Sequence, residues 1–212
     1  MADERRVLVT GGAGFIGANL VRVLVERGHE VTVLDNLTSG QTSYLAGLEL
    51  QLAVADVRNS EQVFDAIAGH RTVVHLAAQT GVPGSLEDPR HDCDVNVTGT
   101  LNMLEACRNS GARFVFASSN APLGRQKPPA TEDKAPLPVS PYGASKLAGE
   151  GYCLAYHGSW GVDTVAFRFG NVYGPYSAHK ESVVAKFFKR ALAGERLVID
   201  GDGEQTRDFV YV

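Results

Sequence analysis

The feature that most constrains this chain is a set of three glycines, three residues apart, between a strand pattern and a helix pattern. A short β-branched run over residues 6–10 precedes them, and apolar residues at helical spacing follow over residues 15–27. Gly11 permits a sharp turn, Gly14 leaves room for a phosphate, and Gly17 lets helix and strand pack closely. Because a helix N-terminus offers free N–H groups and a positive dipole end, this pattern predicts a dinucleotide site.

Strand and helix patterns continue to alternate along most of the chain. Further strands are predicted over residues 30–35, 50–54, 72–76, 113–118 and 163–169, and further helices over residues 59–68, 92–110, 141–157 and 183–193. Residues 120–140 and 173–182 are irregular and are predicted to be functional surface loops. Such alternation predicts an α/β fold, a doubly wound parallel sheet with helices on both faces.

The length of 212 residues suits one domain plus part of another. We predict an NAD-binding Rossmann domain over residues 1–170, which includes the catalytic side chains. Residues 171–212 are then the start of a smaller substrate-binding region. The sequence stops inside an apolar run over residues 208–212, so we expect the chain to be incomplete.

Charge and cysteine content narrow the functional classes. A net charge of -4 argues against the broad basic surface that binds nucleic acid. The three cysteines, Cys93, Cys107 and Cys153, are odd in number and widely spaced, which favours the reducing cytoplasm over a disulfide framework. No apolar run is long enough to span a membrane, no signal peptide is recognisable, and no residue cluster has metal-ligand spacing.

A carboxylate one strand after the glycines indicates which dinucleotide is bound. Asp35 ends the strand predicted over residues 30–35, where it would accept hydrogen bonds from the adenosine ribose hydroxyls. It would repel the 2′-phosphate of NADP, and Asn36 rather than an arginine follows it. The sequence therefore favours NAD. The alternative is an ordinary glycine-rich turn followed by a capping or turn aspartate.

Tyr142 and Lys146 lie four residues apart in a predicted helix, so they share one face. Free tyrosine has a pKa of about 10 and is a poor base at neutral pH. A nearby ammonium stabilises the phenolate and lowers that pKa. We therefore expect Tyr142 to take a proton from a substrate hydroxyl. A surface pair that arose by chance is the alternative, but here a strand ending in Ser118-Ser119 precedes the pair.

Five motifs in order along nearly the whole chain together resemble the extended short-chain dehydrogenases/reductases. They are GGAGFIG from Gly11, DNL from Asp35, HLAAQ from His75, YGASK from Tyr142 and RFGNVYGP from Arg168. Within that family the chain resembles the NAD-dependent epimerase/dehydratase branch, and especially the UDP-glucose (UDP-hexose) 4-epimerases. Family members run on past the end of this chain.

The resemblance implies a catalytic set of Ser119, Tyr142 and Lys146. Ser119 would relay the proton, and Lys146 would also hold the nicotinamide ribose. The implied reaction oxidises a UDP-sugar at C4, lets the 4-keto sugar rotate about its diphosphate, and returns the hydride to the other face. Such an enzyme would retain its NAD.

The resemblance also implies the binding residues. Asp56 would bind the adenine amino group with Val57 against the ring, although Asp56 could instead cap the next helix. Arg207 and Asn171 would hold the substrate diphosphate, although Asn171 could be a turn residue. His75 is expected to be a packed strand residue, and His179, Lys180 and Lys186 ordinary solvated charges. The predicted cofactor contacts are Gly11, Gly14, Phe15, Ile16, Gly17, Asp35, Asn36, Ser39, Gly40, Asp56, Val57, Leu76, Ala77, Ala78, Gln79, Tyr142 and Lys146, and the predicted substrate contacts are Thr80, Ser119, Tyr142, Asn171 and Arg207.

Departures from the family pattern bear on the reaction. Family 4,6-dehydratases carry an Asp-Glu pair after the catalytic Ser or Thr, whereas this chain has Asn120-Ala121, which argues against dehydration. Pro122-Leu123-Gly124 replaces a frequent Val-Tyr-Gly, so substrate placement can differ from that of the best-known epimerases. The stretch 79–82 also resembles UDP-glucuronate 4-epimerases.

Several alternatives therefore stay open: a UDP-glucuronate 4-epimerase, a dehydratase or reductase of the family, and an NAD-binding redox sensor. A sensor of that kind tends to lack the Tyr/Lys pair. A homodimer is expected, since the helices predicted over residues 92–110 and 141–157 form the dimer interface in relatives. Their apolar spacing fits a sheet-facing core equally well.

Overall fold

The computed structural model describes residues 5–127 and 129–212. Its main sheet has six strands, which are β1 (Arg6–Thr10), β2 (Glu30–Asp35), β3 (Gln51–Val54), β4 (Thr72–His75), β5 (Arg113–Ser119) and β6 (Thr164–Phe169). All neighbouring strands pair in parallel, in the order β3-β2-β1-β4-β5-β6. The predicted doubly wound α/β fold is confirmed.

The helices that connect the strands are α1 (Phe15–Glu26), α2 (Ser60–Ile67), α3 (Val82–Glu87), α4 (Pro89–Cys93), α5 (Gly99–Ser110), α6 (Pro141–Trp160) and α7 (Val183–Leu192). Local sequence fixes several of their ends. Ser140 caps α6 by accepting a hydrogen bond from the Gly143 N–H, and Gly161 ends it with a φ of 70°. Asn59 caps α2 in the same way, by accepting from the Gln62 N–H.

One predicted helix differs from the structure. Residues 92–110 were predicted to be one α-helix, but a π-helical segment, Asp94–Thr98, joins α4 to α5. The helical run therefore begins earlier, at Pro89, and carries a wider turn in its middle. Helix α3, just before it, has no counterpart in the sequence prediction.

The core lies on both faces of the sheet because successive strand residues point to opposite sides. In β1, Leu8 packs on one face with Phe114 and Phe116 against α2, α5 and α6. Val7 and Val9 pack on the other face with residues of α1. Strands buried on both faces read as continuous apolar runs, which is the pattern of β1 and β5.

A second, two-stranded sheet lies in the later part of the chain. Strand β7 (Asn171–Tyr173) pairs in parallel with β8 (Phe209–Tyr211), and neither was predicted from the sequence. The apolar run over residues 208–212 is thus largely a paired strand. Residues 120–127 and 129–140 are mostly irregular, as predicted, apart from a short turn of 3-10 helix at Ala121–Leu123. The predicted domain boundary at residue 170 stays a prediction.

The strand order places a crevice between β1 and β4. From β1 the chain builds β2 and β3 on one side, and then β4, β5 and β6 on the other. The connections that leave β1 and β4 therefore run toward opposite edges of the sheet, and ligands bind at such a point in open α/β sheets. None of the helices in the described ranges is long and apolar enough to cross a membrane.

Candidate active site

The glycine turn after β1 packs backbone to backbone against the loop after β4. Gly11 has a φ of 67°, and a Cβ there would lie 2.7 Å from the Ala77 nitrogen. A Cβ on Gly17 would lie 2.2 Å from the Gly11 carbonyl oxygen. Gly14, which precedes α1, has no side-chain cap on that helix. The turn therefore delivers a bare helix N-terminus to the crevice, as a pyrophosphate requires.

Asp35 ends β2 directly beside this turn. Its carboxylate is buried and accepts hydrogen bonds from the Ala13 N–H at 3.0 Å and the Leu37 N–H at 2.9 Å. A Cβ on Gly40 would lie 2.7 Å from the carboxylate, so only glycine fits there without a shift. A carboxylate has about four acceptor positions. Asp35 thus keeps capacity for ribose hydroxyls, and the residues present fit an NAD molecule.

Asp56, beyond β3, is engaged more fully than the sequence suggested. One carboxylate oxygen accepts from the Arg58 N–H and Nε, and the other accepts from Arg58 Nη2 and Asn36 Nδ2, at 2.8 to 3.1 Å. The Arg58 guanidinium holds the pKa of Asp56 well below its usual range. An adenine amino group would have to displace one of these donors. Asp56 does not cap α2, because Asn59 does. Val57 is buried and packs on Gly99.

The loop after β4 is anchored by Thr10 and His75. The Thr10 hydroxyl accepts from the Ala77 N–H at 3.1 Å and lies 2.7 Å from His75 Nδ1. Burial lowers the pKa of His75 to about 3, so its ring is neutral. His75 is therefore a packed strand residue, as predicted. Residues 76–79 are only half-buried and line the crevice.

Ser119, Tyr142 and Lys146 come together at the carboxyl end of β5. Tyr142 and Lys146 lie in α6, and the Ser119 hydroxyl lies near enough to Tyr142 to lower the pKa of its phenol. Lys146 is 3% exposed, and its Nζ donates to the Ala117 carbonyl at 2.9 Å. The other serine, Ser118, instead donates to Glu150. The structure therefore brings the three predicted catalytic side chains to one place.

The pKa of Tyr142 differs from the expectation. Burial raises it, the nearby Ser119 hydroxyl lowers it, and the negative charge of Asp92 raises it further. Burial lowers the pKa of Lys146 to about 8. We expected Lys146 to depress the pKa of Tyr142, but burial, Ser119 and Asp92 set the direction of its shift in the structure. A further positive charge beside Tyr142, such as an oxidised nicotinamide ring, would favour the phenolate.

A buried polar network that the sequence did not reveal lies under this cluster. The Asn96 carboxamide pairs with both backbone groups of Gln79, at 2.9 and 3.0 Å. The same amide nitrogen donates to Ser145 Oγ at 3.1 Å and to Asp92 Oδ1 at 3.0 Å. Asp92 and Asn96 are four residues apart in a predicted helix, so a polar pair on one face was the available signal.

The residues predicted to bind the substrate fall into two groups. Ser119, Tyr142 and Thr80 lie on the crevice side of the main sheet. Asn171 belongs to β7, and its side chain donates to the Asp208 carbonyl at 3.0 Å. The neighbouring Arg207 is exposed and donates locally to the Thr206 carbonyl. These two residues are thus close to each other at the small sheet.

The segment 174–180 crosses from the small sheet to the crevice. Asn19 of α1 donates to the Pro175 carbonyl at 3.1 Å, and Arg22 donates to the Tyr176 hydroxyl at 3.1 Å. At the far end, Lys180 Nζ donates to Thr80 Oγ1 at 3.2 Å. The prediction that Lys180 is an ordinary solvated charge is wrong, because this side chain is half-buried and burial lowers its pKa.

Over the ranges that the structure describes, no group of three or more His, Cys, Asp or Glu side chains could hold a metal ion. A phosphate-binding turn at the sheet crevice beside a Ser-Tyr-Lys cluster is the arrangement of a nicotinamide-dependent enzyme. The side chains can accept and return a proton, and the turn can hold the hydride carrier.

Comparison with known proteins agrees with that class. Residues 7–212 match the model of the NAD dependent epimerase/dehydratase family. The chain is 39% identical to a putative UDP-glucose 4-epimerase of Methanocaldococcus jannaschii, over 97% of this chain and 69% of that protein. The UDP-glucose 4-epimerase of Thermus thermophilus, solved in complex with NAD, is 43% identical and superposes with a TM-score of 0.89. That match covers 97% of this chain and 70% of the other.

Other relatives carry different activities in their names. One is a dTDP-glucose 4,6-dehydratase of Streptomyces niveus, 36% identical over 98% of this chain and 65% of that protein. A decarboxylase acting on UDP-N-acetyl-alpha-D-glucosaminuronate and a UDP-glucuronate 4-epimerase match at 34% and 35%. The chain belongs to the NAD dependent epimerase/dehydratase family. NAD, the cofactor predicted from Asp35, is the cofactor of that family.

Proposed function

We propose that this protein is an NAD-dependent nucleotide-sugar 4-epimerase of the UDP-glucose/UDP-galactose type. The observation that carries the proposal is the clustering of Ser119, at the end of β5, with Tyr142 and buried Lys146 of α6. These three side chains can remove and return one proton at one sugar hydroxyl. Epimerisation at C4 requires nothing more from the protein besides the cofactor site.

Each side chain has a defined part in this proposal. Tyr142 accepts the proton of the C4 hydroxyl, and Ser119 holds the same oxygen through its own hydroxyl. Lys146 keeps a positive charge behind Tyr142 and binds the nicotinamide ribose. Asp35 and the glycine turn bind the adenosine ribose and the pyrophosphate. Bound NAD supplies a reversible hydride acceptor at C4.

The 4-keto sugar would then rotate about its diphosphate and present its other face. The hydride would return to C4 on that face and the proton to the C4 oxygen, which would give the inverted centre. Thr80, Asn171 and Arg207 would hold the UDP-sugar during this rotation. A guanidinium such as that of Arg207 suits a diphosphate because it can donate two parallel hydrogen bonds. Because the hydride taken from C4 is given back to the same sugar, each reaction cycle leaves NAD in its starting state. This supports a cofactor that stays bound.

Dehydration is less well supported. Elimination of water requires an acid and a base next to the C5–C6 bond. Asn120 and Ala121, which follow Ser119, provide neither. The similarity to dehydratases therefore supports a dehydratase activity for this chain less well than the similarity to epimerases supports an epimerase activity.

A specific contact favours a second candidate, a UDP-glucuronate 4-epimerase. The ammonium of Lys180 reaches Thr80, a predicted sugar contact, and it forms no ion pair with any residue in the described part of the chain. A uronate carboxylate would pair with such a cation. Preferential conversion of UDP-glucuronate would establish this candidate over the first.

Other expectations accompany the proposal. We propose a cytoplasmic homodimer formed through α5 and α6. On α6 the side chains of Leu154 and Trp160 are exposed, whereas Leu104 of α5 is buried in the core. The interface would therefore have to use the outer face of α6.

The test is to incubate the protein with UDP-glucose, UDP-N-acetylglucosamine and UDP-glucuronate and to analyse the products for C4 epimers. Tyr142→Phe should lower kcat by a factor of about 10²–10⁴, the usual contribution of a positioned acid or base, and leave NAD bound. Tyr152→Phe, on the exposed side of the same helix, is the matched control. Conversion of none of the three substrates, with NAD still bound, would contradict the proposal. A 4-keto-6-deoxy product would identify a dehydratase.

A further inference from the structure

Asp92 is a buried carboxylate that the proposed reaction does not use. It lies in α4 and is 1% exposed. Its Oδ1 accepts from Asn96, but its Oδ2 accepts no hydrogen bond from any residue in the described ranges. Buried polar atoms in proteins are almost always paired, and an unpaired charged oxygen destabilises the fold. A site that breaks a rule of packing in this way is expected to have a function.

The first consequence of Asp92 is the orientation of the Asn96 carboxamide. A carboxylate only accepts hydrogen bonds, so it fixes the NH₂ group of Asn96 on its own side. The amide oxygen is then left to accept the Gln79 N–H at 2.9 Å. Since the NH₂ group also donates to Ser145, the neighbour of Lys146, Asn96 links the loop after β4 to the catalytic helix.

The second consequence concerns Lys146, a buried cation. Its ammonium donates to the Ala117 carbonyl and lies 4.9 Å from the centre of the Phe116 ring. It makes no ion pair with a carboxylate within the part of the chain that the structure describes. Asp92 is a buried charge of opposite sign on α4, which packs directly against α6. The two charges therefore share one low-dielectric region without touching.

Other titratable groups lie on the elements packed around Asp92. They are Glu87 on α3, Asp88, Arg90, His91, Cys93 and Asp94 on or next to its own helical run, and Tyr142, Lys146, Glu150, Tyr152, Cys153, Tyr156 and His157 on α6. The charge of Asp92 acts on the reacting pair, where it raises the pKa of both Tyr142 and Lys146.

We propose that Asp92 is a positioning residue, which provides the buried counter-charge of Lys146 and, through Asn96, holds the loop after β4 against the catalytic helix. The proposal rests on the proposed function in so far as Tyr142 and Lys146 are its reacting groups. It explains why a carboxylate with an unpaired oxygen is kept beneath them.

The test compares Asp92→Asn with Asp94→Asn, which removes an exposed carboxylate from the same helical run. Asp92→Asn keeps the shape of the side chain and removes its charge. Because that charge raises the pKa of Tyr142 and of Lys146, both limbs of the pH–kcat profile should move to lower pH. Loss of the unpaired carboxylate oxygen and loss of the counter-charge of Lys146 act on Tm in opposite directions, so Tm should change little. Asp94→Asn should change neither quantity.

A second measurement does not depend on turnover. The pH at which the Tyr142 phenolate forms can be followed by tyrosinate absorbance, as a difference from Tyr142→Phe in each background. It should fall in Asp92→Asn and not in Asp94→Asn, even if no nucleotide sugar is converted, so failure of the proposed function is distinguishable. An unchanged titration would overturn the proposal. So would an Asp92→Asn variant that fails to fold, because the carboxylate would then be held for structure.

Discussion

Gly17→Ala tests the close packing of the glycine turn directly. The new Cβ would lie 2.2 Å from the Gly11 carbonyl oxygen and 2.6 Å from the Gly12 Cα. Non-bonded contacts are comfortable at about 3.5 Å or more, so helix and turn would have to separate by roughly 1 Å. Both obstructing atoms belong to the backbone, and no side-chain rotation can relieve them.

The expected cost follows from this geometry. Forcing an extra methyl group into a packed site costs about 1–3 kcal/mol, and a backbone clash belongs at the upper end. Alanine in place of glycine within a helix returns about 1 kcal/mol. The net loss is therefore about 2 kcal/mol, and for a chain of this size each kcal/mol lowers Tm by roughly 2–4 °C. We expect Gly17→Ala to melt about 4–8 °C lower and to lose NAD.

Gly151→Ala is the matched control. Gly151 lies in α6, and a Cβ there would meet nothing within 4 Å. This variant should gain about 1 kcal/mol and melt a few degrees higher, with its NAD retained. Both variants are compared with the unmodified protein by circular dichroism melts and by the absorbance of bound cofactor. A Gly17→Ala protein that melts at or above the unmodified protein would refute the packing argument.

Two further substitutions probe the buried polar groups. Glu150→Gln should destabilise the protein by about 3 kcal/mol in urea unfolding, because Arg168, now paired with Glu150 at 2.6 Å, would lose its partner. The double variant with Arg168→Met should recover part of that loss, and simple additivity would argue against the pair. His75 has a pKa lowered to about 3 by burial, against about 6.5 when unfolded. Its contribution to stability is present above pH 6.5 and is lost as pH falls toward about 3, so His75→Gln should flatten that part of the stability curve, and exposed His157→Gln should not.

The main sheet was predictable because its signals are local. Strands β1 and β2, the glycine turn and α1 follow each other within 35 residues, and each has its own pattern. The catalytic set was predictable for a similar reason, since Tyr142 and Lys146 share one helix turn. Ser119 could be predicted because it follows directly from the end of a predicted strand. The family resemblance added the order of the motifs.

The remainder depends on partners that are distant in sequence. Lys180 meets Thr80 across 100 residues, and no local pattern marks either side chain. Strand β8 exists because it pairs with β7, from which it is separated by α7 and a long connection. The π-helical segment changes the register of a helix without changing its apolar composition. Arg58 is only two residues from Asp56, but the sequence does not show that its guanidinium donates hydrogen bonds to both oxygens of that carboxylate.

The crevice between β1 and β4 also separates two tasks, cofactor binding and proton transfer, between the two halves of the chain. The groups that fit the adenosine and the pyrophosphate come from the first four strands and their loops, whereas the proton-handling groups come from β5 and α6. A substitution beside Ser119 can therefore alter the reaction while the site for the hydride carrier is inherited unchanged. Proteins named as epimerases and as dehydratases, both similar to this chain, could therefore share the design of the first half and differ in the second.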